Sequence, residues 1–285
     1  MNLSYDIIKL IASYLVKPKM RLLDWIQKDK HKLSWLILCL NPNAIHMIEN
    51  KYKFFWNKND EWLYLSYNSN AIHLLEQNID KINWANLSLN SNAIHLLEQN
   101  IDKIRWRYLS SNPNAIHLLE QNIDKIDWDN LSYNSKAIHL LEQNIDKINW
   151  SNLSINPNAI HLLEQNTDKI NWSRISYNSN AIHLLEQNID KINWWFLSQN
   201  KNAIHLLEQN LDKIKWNSLS VNPNAIHLLE KNIDKINWKN LSVNSNIFVD
   251  NTQQEIDKQV KIINKLNLSI KKNQICCIFQ KKLKT

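Results

Sequence analysis

The sequence predicts an all-α protein: an α-solenoid of about ten 22-residue helix-turn-helix repeats. Two observations carry that reading. From Trp62 onward the segment Ala71-Ile72-His73-Leu74-Leu75-Glu76-Gln77-Asn78 returns at Ala93, Ala115, Ala137, Ala159, Ala181 and Ala203, and at Ala225 with Lys231 in place of Gln. A fixed period in this range marks stacked supersecondary units that cannot bury their apolar faces alone. Within each unit the apolar residues follow a helical period. Ala93, Ile94, Leu96 and Leu97 share one broad face while His95, Glu98 and Gln99 fall opposite.

An asparagine opens this helix in every unit (Asn90, Asn112, Asn134, Asn156), and proline follows it directly at Pro113, Pro157 and Pro223. Asn as N-cap with Pro at the first helical position is a strong start signal. Asn100 sits where a left-handed C-terminal residue is wanted. The other half of the unit, Asp80 to Ser88, reads as a second short helix with Trp84, Leu87 and Ser88 on one face. Helices this short are marginal in water, so stacking must supply their stability by burying Trp84, Leu87, Ile94 and Leu97.

A leucine-rich-repeat-like solenoid is the alternative, because Trp84-x-x-Leu87-x-Leu89-x-x-Asn92-x-Ile94 fits that skeleton with a strand in place of the Trp helix. The sixth position weighs against it. It runs Tyr67, Leu89, Ser111, Tyr133, Ile155, Tyr177, Gln199, Val221, Val243, and Ser or Gln in a core slot is costly. On a helix the same position faces water.

The expected organisation is an N-terminal capping helix over residues 1–19, the array over 20–246, and a C-terminal cap with a basic tail over 247–285. The nine-residue Trp-to-Ala spacing is kept at Trp35/Ala44 and Trp62/Ala71, with five extra residues inserted within 51–61. Arg21-Leu22-Leu23-Asp24-Trp25 and Lys32-Leu33-Ser34-Trp35 resemble a decayed first unit. At the far end Asn246-Ile247-Phe248-Val249 loses the Ala, His and Leu-Leu of the repeat. Terminal units of a solenoid are expected to be atypical, since they must end the stack with a polar outer face. Ile256, Val260 and Ile263 suggest an amphipathic capping helix in the tail.

There is no glycine among 285 residues, and 45 are asparagine, so any backbone position with φ > 0 would fall to Asn. The net charge of +7 divides unevenly: +5 over residues 1–60, −3 over 61–246 and +5 over 247–285. The array is mildly acidic, and its two ends are basic. Cys39, Cys276 and Cys277 form neither a metal spacing nor a disulfide framework, which suits a reducing compartment. No signal peptide and no membrane span is expected, because Lys9 interrupts the apolar stretch Ile7–Val16.

Without glycine there is no phosphate-cradling loop. The recurring His46, His73, His95, His117, His139, His161, His183, His205 and His227 invite a metal reading. Stacked units lie about 10 Å apart, however, and His95 with Glu98 supplies only two ligands, so a solvated His ladder is expected. Glu98 and Asp102 recur in every unit, as stacking requires and a single active site does not. No nucleophile is placed beside a base. The expectation is no enzyme, no catalytic residue, no metal and no cofactor.

The motif Asn156-Pro157-Asn158-Ala159-Ile160-His161-Leu162-Leu163-Glu164 with Asp146-Lys147-Ile148-Asn149-Trp150-x-x-Leu153-Ser154, preceded by Leu22-Leu23-Asp24-Trp25-Ile26, resembles the short tandem-repeat proteins encoded by giant DNA viruses of the mimivirus type. The resemblance covers about Met20 to Asn246. It implies a viral protein and a helical array, and it brings no activity and no functional residues. Viral arrays of ankyrin type are interaction proteins, which is an analogy of architecture.

Three slots on the outer face of the Trp helix vary between units: the residue after the serine, which is the sixth-position series above, and the two before the leucine, Leu63/Tyr64, Ala85/Asn86, Arg107/Tyr108, Asp129/Asn130, Ser151/Asn152, Ser173/Arg174, Trp195/Phe196, Asn217/Ser218 and Lys239/Asn240. A solenoid binds through an extended surface of varied side chains, so a monomeric protein-binding scaffold is expected. Its candidate contacts are Tyr64, Arg107, Tyr108, Arg174, Trp195, Phe196 and Lys239, and its protein partner is unspecified. A single-strand nucleic-acid reader taking one base per unit is the second reading, disfavoured by the acidic array. An adaptor is the third, since Leu3 to Leu15 resembles the opening of an F-box.

Overall fold

In a computed structural model the described residues are 4–15, 20–52 and 59–266. They form two compact units, one from Asp24 to Ile247 and one that joins the segment before it to the segment after it. The first is a helical repeat array. The inserted residues within 51–61 and the tail beyond 266 lie largely or wholly outside the described residues.

One repeat shows how the sequence makes the unit. Ile79–Lys81 is a 3-10 turn, Ile82 and Asn83 are extended, Trp84–Leu89 is an α-helix, and after a tight turn Ile94–Glu98 is a second α-helix. The Trp segment is helical, which excludes the leucine-rich-repeat alternative. The continuous helix expected over Asp80–Ser88 is broken at Ile82–Asn83, for two reasons. The Asn83 side chain accepts the N–H of Asn86 at 3.0 Å as an N-cap, and its own N–H is given to Ser66 Oγ of the preceding unit at 2.9 Å. A residue whose N–H is claimed by a neighbour cannot continue a helix through it. The break lets Ile82 turn inward and become buried.

Burial follows the wheel with two corrections. Leu87, Ala93 and Leu97 and their counterparts are fully buried, and Leu96 nearly so. Trp84 and Ile94, expected in the core, are half-buried. The repeat tryptophans from Trp62 to Trp216 instead carry the lysine of the next unit on their faces, as Lys103 does over Trp84 at 4.8 Å and Lys169 over Trp150 at 4.4 Å.

The asparagines do different work from that expected. No described residue has positive φ. Asn100 lies at φ −137°, ψ 54°, and closes its helix with its side chain, donating from Nδ2 to Leu96 O at 2.9 Å. Asn90 does accept the N–H of Asn92, yet the helix proper starts at Ile94. A proline at the start of a helical turn after such an asparagine is seen at Pro42 and Pro223, each in a short 3-10 turn. The main role of Asn90 is across the stack: its Nδ2 donates to Ser66 O and Asn68 O of the preceding unit, both at 3.1 Å. Asn112 does the same to Ser88 O and Asn90 O. Alongside runs a serine ladder, in which Ser88 Oγ donates to Trp84 O and accepts from the N–H of Arg105 one unit on.

The asparagine ladder closes on itself. Asn244 donates to Ser220 O and Asn222 O. Asn41, about 200 residues away in sequence, donates to Ser242 O and Asn244 O at 3.1 and 3.0 Å, and Asn68 in turn donates to Cys39 O and Asn41 O. The serine ladder closes through Ser34 N–H to Ser242 Oγ at 2.9 Å, and the lysine ladder through Lys32 over Trp238 at 5.0 Å. The array is a ring of ten units, with about 36° of turn at each junction.

The tenth unit is composite. Its Trp helix is Trp238–Leu241, near the end of the array, and its second helix is Asp24–Lys28, at the start. Counted back from Trp35, Trp25 and Ile26 stand where Leu96 and Leu97 stand before Trp106. Ile26 is fully buried like Leu97, and Trp25 meets Trp238 edge-on at 6.4 Å. The supposed remnant of a first unit is therefore the missing half of the last. End units that cap the stack with a polar face, as an open solenoid needs, are replaced by end units that stack on each other.

The second compact unit joins the chain's two ends. Strand β1 (Met20–Leu22) pairs antiparallel with β2 (Phe248–Asp250), Arg21 opposite Val249. The helix Tyr5–Leu15 buries Ile8 and Ala12 against Val260, with Ile256 and Ile263 beside them on the helix over 252–266.

Replacing a ladder asparagine by alanine removes two donors, leaving the buried serine carbonyl unpaired and the asparagine carbonyl with only the N–H of its own turn, at a cost of about 2–4 kcal/mol. Asn41→Ala at the closure is expected to lower urea-unfolding stability as much as Asn156→Ala within the array. If Asn41→Ala were nearly silent, the ring would be open.

Candidate binding surfaces

The varied Trp-helix residues divide once their positions are known. The first slot points outward: the Arg107 side chain is 74% exposed and Trp195 is 51% exposed, with Asp129, Asn217 and Lys239 also exposed. The second slot is largely a stacking position. Asn86, Asn152 and Asn240 donate to the carbonyls of Leu63, Asp129 and Asn217 in the preceding unit. Ser218 is buried, and its hydroxyl has no hydrogen-bond partner among the described residues.

Arg174 is the clearest case of a candidate contact spent inside the array. Its guanidinium donates to Tyr133 Oη at 2.7 Å, to Asn152 Oδ1 at 2.5 Å and to Ser151 Oγ at 3.3 Å. It is thereby tied to the two preceding units. Tyr64 is half-buried and Tyr108 exposed. Arg107 approaches Asp127 at 3.9 Å, loosely enough to be displaced. Trp195 and Phe196 pack edge to face with centroids 4.8 Å apart. The Arg107/Tyr108 and Trp195/Phe196 pairs stand four units apart, about 140° round the ring. They do not form one patch.

The histidines face neighbouring glutamates. His95 Nε2 lies 2.9 Å from Glu76 of the preceding unit, and seven further pairs repeat this between His73–Glu49 and His227–Glu208, at 2.6–2.9 Å. The partner of His95 is thus Glu76, and the intrahelical Glu98 considered from the sequence pairs with His117. Both side chains are about half exposed, so each pair contributes little to stability. They tie up the uniform face with one-to-one contacts. Among the described residues no group of three or more His, Cys, Asp or Glu side chains converges as a metal site would require.

The third varied slot, the residue following each ladder serine (the sixth-position series), does not share the outward face that the wheel gave it. It does face solvent, with Tyr177 43% exposed, but on the inside of the ring. Ile155, Tyr177, Gln199, Val221 and Val243, from five successive units, line one cavity of about 530 Å³. Units spanning nearly half a ring can share a cavity only on its concave side. The residues after the ladder asparagines, Pro157, Ser179, Lys201 and Pro223, complete its wall. The signal was present in the sequence, where this series varies between units while the frame around it repeats.

Cys39 occupies the serine slot at the unit beside the closure, its Sγ 3.6 Å from Trp35 O. Burial, and secondarily the nearby Glu61 carboxylate, push its thiol up to about 12. The neutral thiol is therefore held through physiological pH.

Two outcomes follow. Arg174→Ala is expected to destabilise the ring by about 1–2 kcal/mol, as loss of charged hydrogen bonds does, measured by urea denaturation. With Cys276 and Cys277 replaced by Ser, alkylation of Cys39 by iodoacetamide at pH 8 is expected only in denaturant, whereas rapid labelling of the folded protein would contradict its burial.

No helix of the described residues is long and apolar enough to cross a membrane. Comparison of the chain with family models, with curated proteins and with solved structures finds no match.

Proposed function

We propose that the chain is a non-enzymatic scaffold that binds another protein, the ring holding varied side chains in fixed positions. The observation that carries this is the inner cavity, a concave and mainly apolar surface built from the positions at which otherwise near-identical units differ. A rigid frame with a varied concave wall is how repeat proteins present a binding surface. The exposed Trp195, packed on Phe196, offers a second anchor of the residue type that interfaces favour. The resemblance of the motif to viral repeat proteins makes a host or viral protein the natural partner, met in the host cytoplasm.

Nucleic acid fits less well. The cavity wall holds a single cation, Lys201, and tracking a phosphate backbone calls for a basic stripe. An F-box-like adaptor fits less well too, because Ile8 and Ala12 of the N-terminal helix are buried against Val260.

Affinity capture with the tagged full chain tests the reading. Wild type is expected to retain a protein partner that is lost with Tyr177→Ser/Val221→Ser, or with Arg107→Ser/Tyr108→Asn/Trp195→Ser/Phe196→Asn. Salt-sensitive recovery of RNA in place of protein would overturn it.

A further inference from the structure

Resting on that reading, the cavity also indicates which chemistry it recognises. The residue after the ladder asparagine is Pro or Ser in nine of the ten units and Lys only at position 201. That lysine stands in the wall of the inner cavity. It is exposed, and no carboxylate among the described residues pairs with it. The remaining wall carries no charge. Ile155, Tyr177, Val221 and Val243 give it an apolar floor, and Gln199, two residues before the lysine in the same unit, has an amide able to donate and accept.

We propose that this half of the ring's interior binds a protein segment that presents an apolar side chain next to a carboxylate. The floor at Ile155, Tyr177, Val221 and Val243 takes the apolar group, and the Lys201 ammonium takes the acid. A cavity of about 530 Å³ lies within the range of built ligand sites, about 300–1,000 Å³. A lone ammonium accepts a carboxylate from many directions, so selectivity comes from the apolar floor and the acid is required beside it. The inner series continues past the cavity as Tyr67, Leu89, Ser111 and Tyr133, a varied wall that an extended chain can follow and a small amphiphile would leave unused.

The test is selection of a random seven-residue phage-displayed peptide library on the full chain, followed by fluorescence anisotropy with the labelled consensus peptide. Enriched clones are expected to place Asp or Glu within two residues of a bulky apolar side chain. Affinity should fall about tenfold or more, on the scale of about 1.4 kcal/mol, with Lys201→Glu and with Tyr177→Ser. It should return when Lys201→Glu is paired with a peptide whose acid is changed to Lys. Both positions are exposed, and circular dichroism checks that each variant folds. Acid-independent clones, an affinity unmoved by Lys201→Glu, or a selection with no binder would each overturn the proposal. Clones lost with Trp195→Ser/Phe196→Asn but kept with Lys201→Glu would overturn it while the scaffold reading stands. Protein capture that fails for the wild type would sink that broader reading separately.

Discussion

The ring depends on one exchange, the two amide protons that each ladder asparagine returns to the unit before it. Apart from Asn59–Tyr67, the Trp helices are four to six residues long, so almost every carbonyl in them is a helix-end carbonyl with no partner of its own. Two of these per unit are buried, and a buried unpaired carbonyl costs about as much as a whole helix of this length contributes. Ser88 O is satisfied by Asn112 of the next unit, which also gives Asn90 O a second donor beside the N–H of Ala93. An open array leaves the carbonyls of its last unit to water. Here Asn41 supplies those of Ser242 and Asn244, and the stack needs no cap.

This explains how a chain without glycine turns so tightly so often. Left-handed glycine is the usual way to satisfy helix-end carbonyls, because it brings the following N–H groups back over the helix. In this chain the donor is a side-chain amide. Asn100 reaches its own helix end at Leu96 O, and Asn90 reaches the preceding unit. Among the described residues the backbone then never enters the region that only glycine occupies cheaply. The composition that suggested asparagine as a substitute for glycine was read correctly as a demand on asparagine, but the demand falls on its Nδ2 and not on its φ.

Periodicity made the repeat and its helices legible, since a 22-residue echo with a helical wheel inside it leaves few folds. What stayed hidden is non-local. Nothing near Asn83 announces that its N–H belongs to Ser66, so the wheel joined two elements into one helix over Asp80–Ser88. Ring closure was hidden for the same reason, although its halves were in view. The N-terminal remnant holds a second helix with no Trp helix before it, and the C-terminal remnant holds Trp238–Leu241 with no second helix after it. Each looked like decay when weighed alone, and together they make one complete unit. The candidate site divided along similar lines. Outward residues such as Arg107 and Trp195 lie where the wheel put them, while Arg174 and Asn152 are spent between units, because a slot that is outward on one helix faces a neighbour in a stack. The inner wall was read as part of the varied outer face, since concavity belongs to the ring and not to the repeat.

Closure also changes what the repeats can do. An open solenoid flexes along its length, and a ligand that needs one curvature must first hold it there. A ring fixes the curvature before binding, which lowers the ordering cost of recognition. It fixes the number of units as well. An open array accepts one more 22-residue copy simply by growing. A ring must share the change among all junctions, reducing the turn at each from about 36° to about 33°. Every Asn–carbonyl pair, every Ser–N–H pair and every Lys–Trp contact would feel that change. Near-identity of the units then has a physical reason beside their common origin: ten junctions that must add to one full turn are most easily satisfied by ten junctions that are alike. The freedom left to the chain lies outside these ladders, on the first slot and on the inner wall. Contacts there, such as those of Ser151, Ser173 and Tyr133 with later units, are made at single junctions and not repeated round the ring, and those are positions at which its units differ.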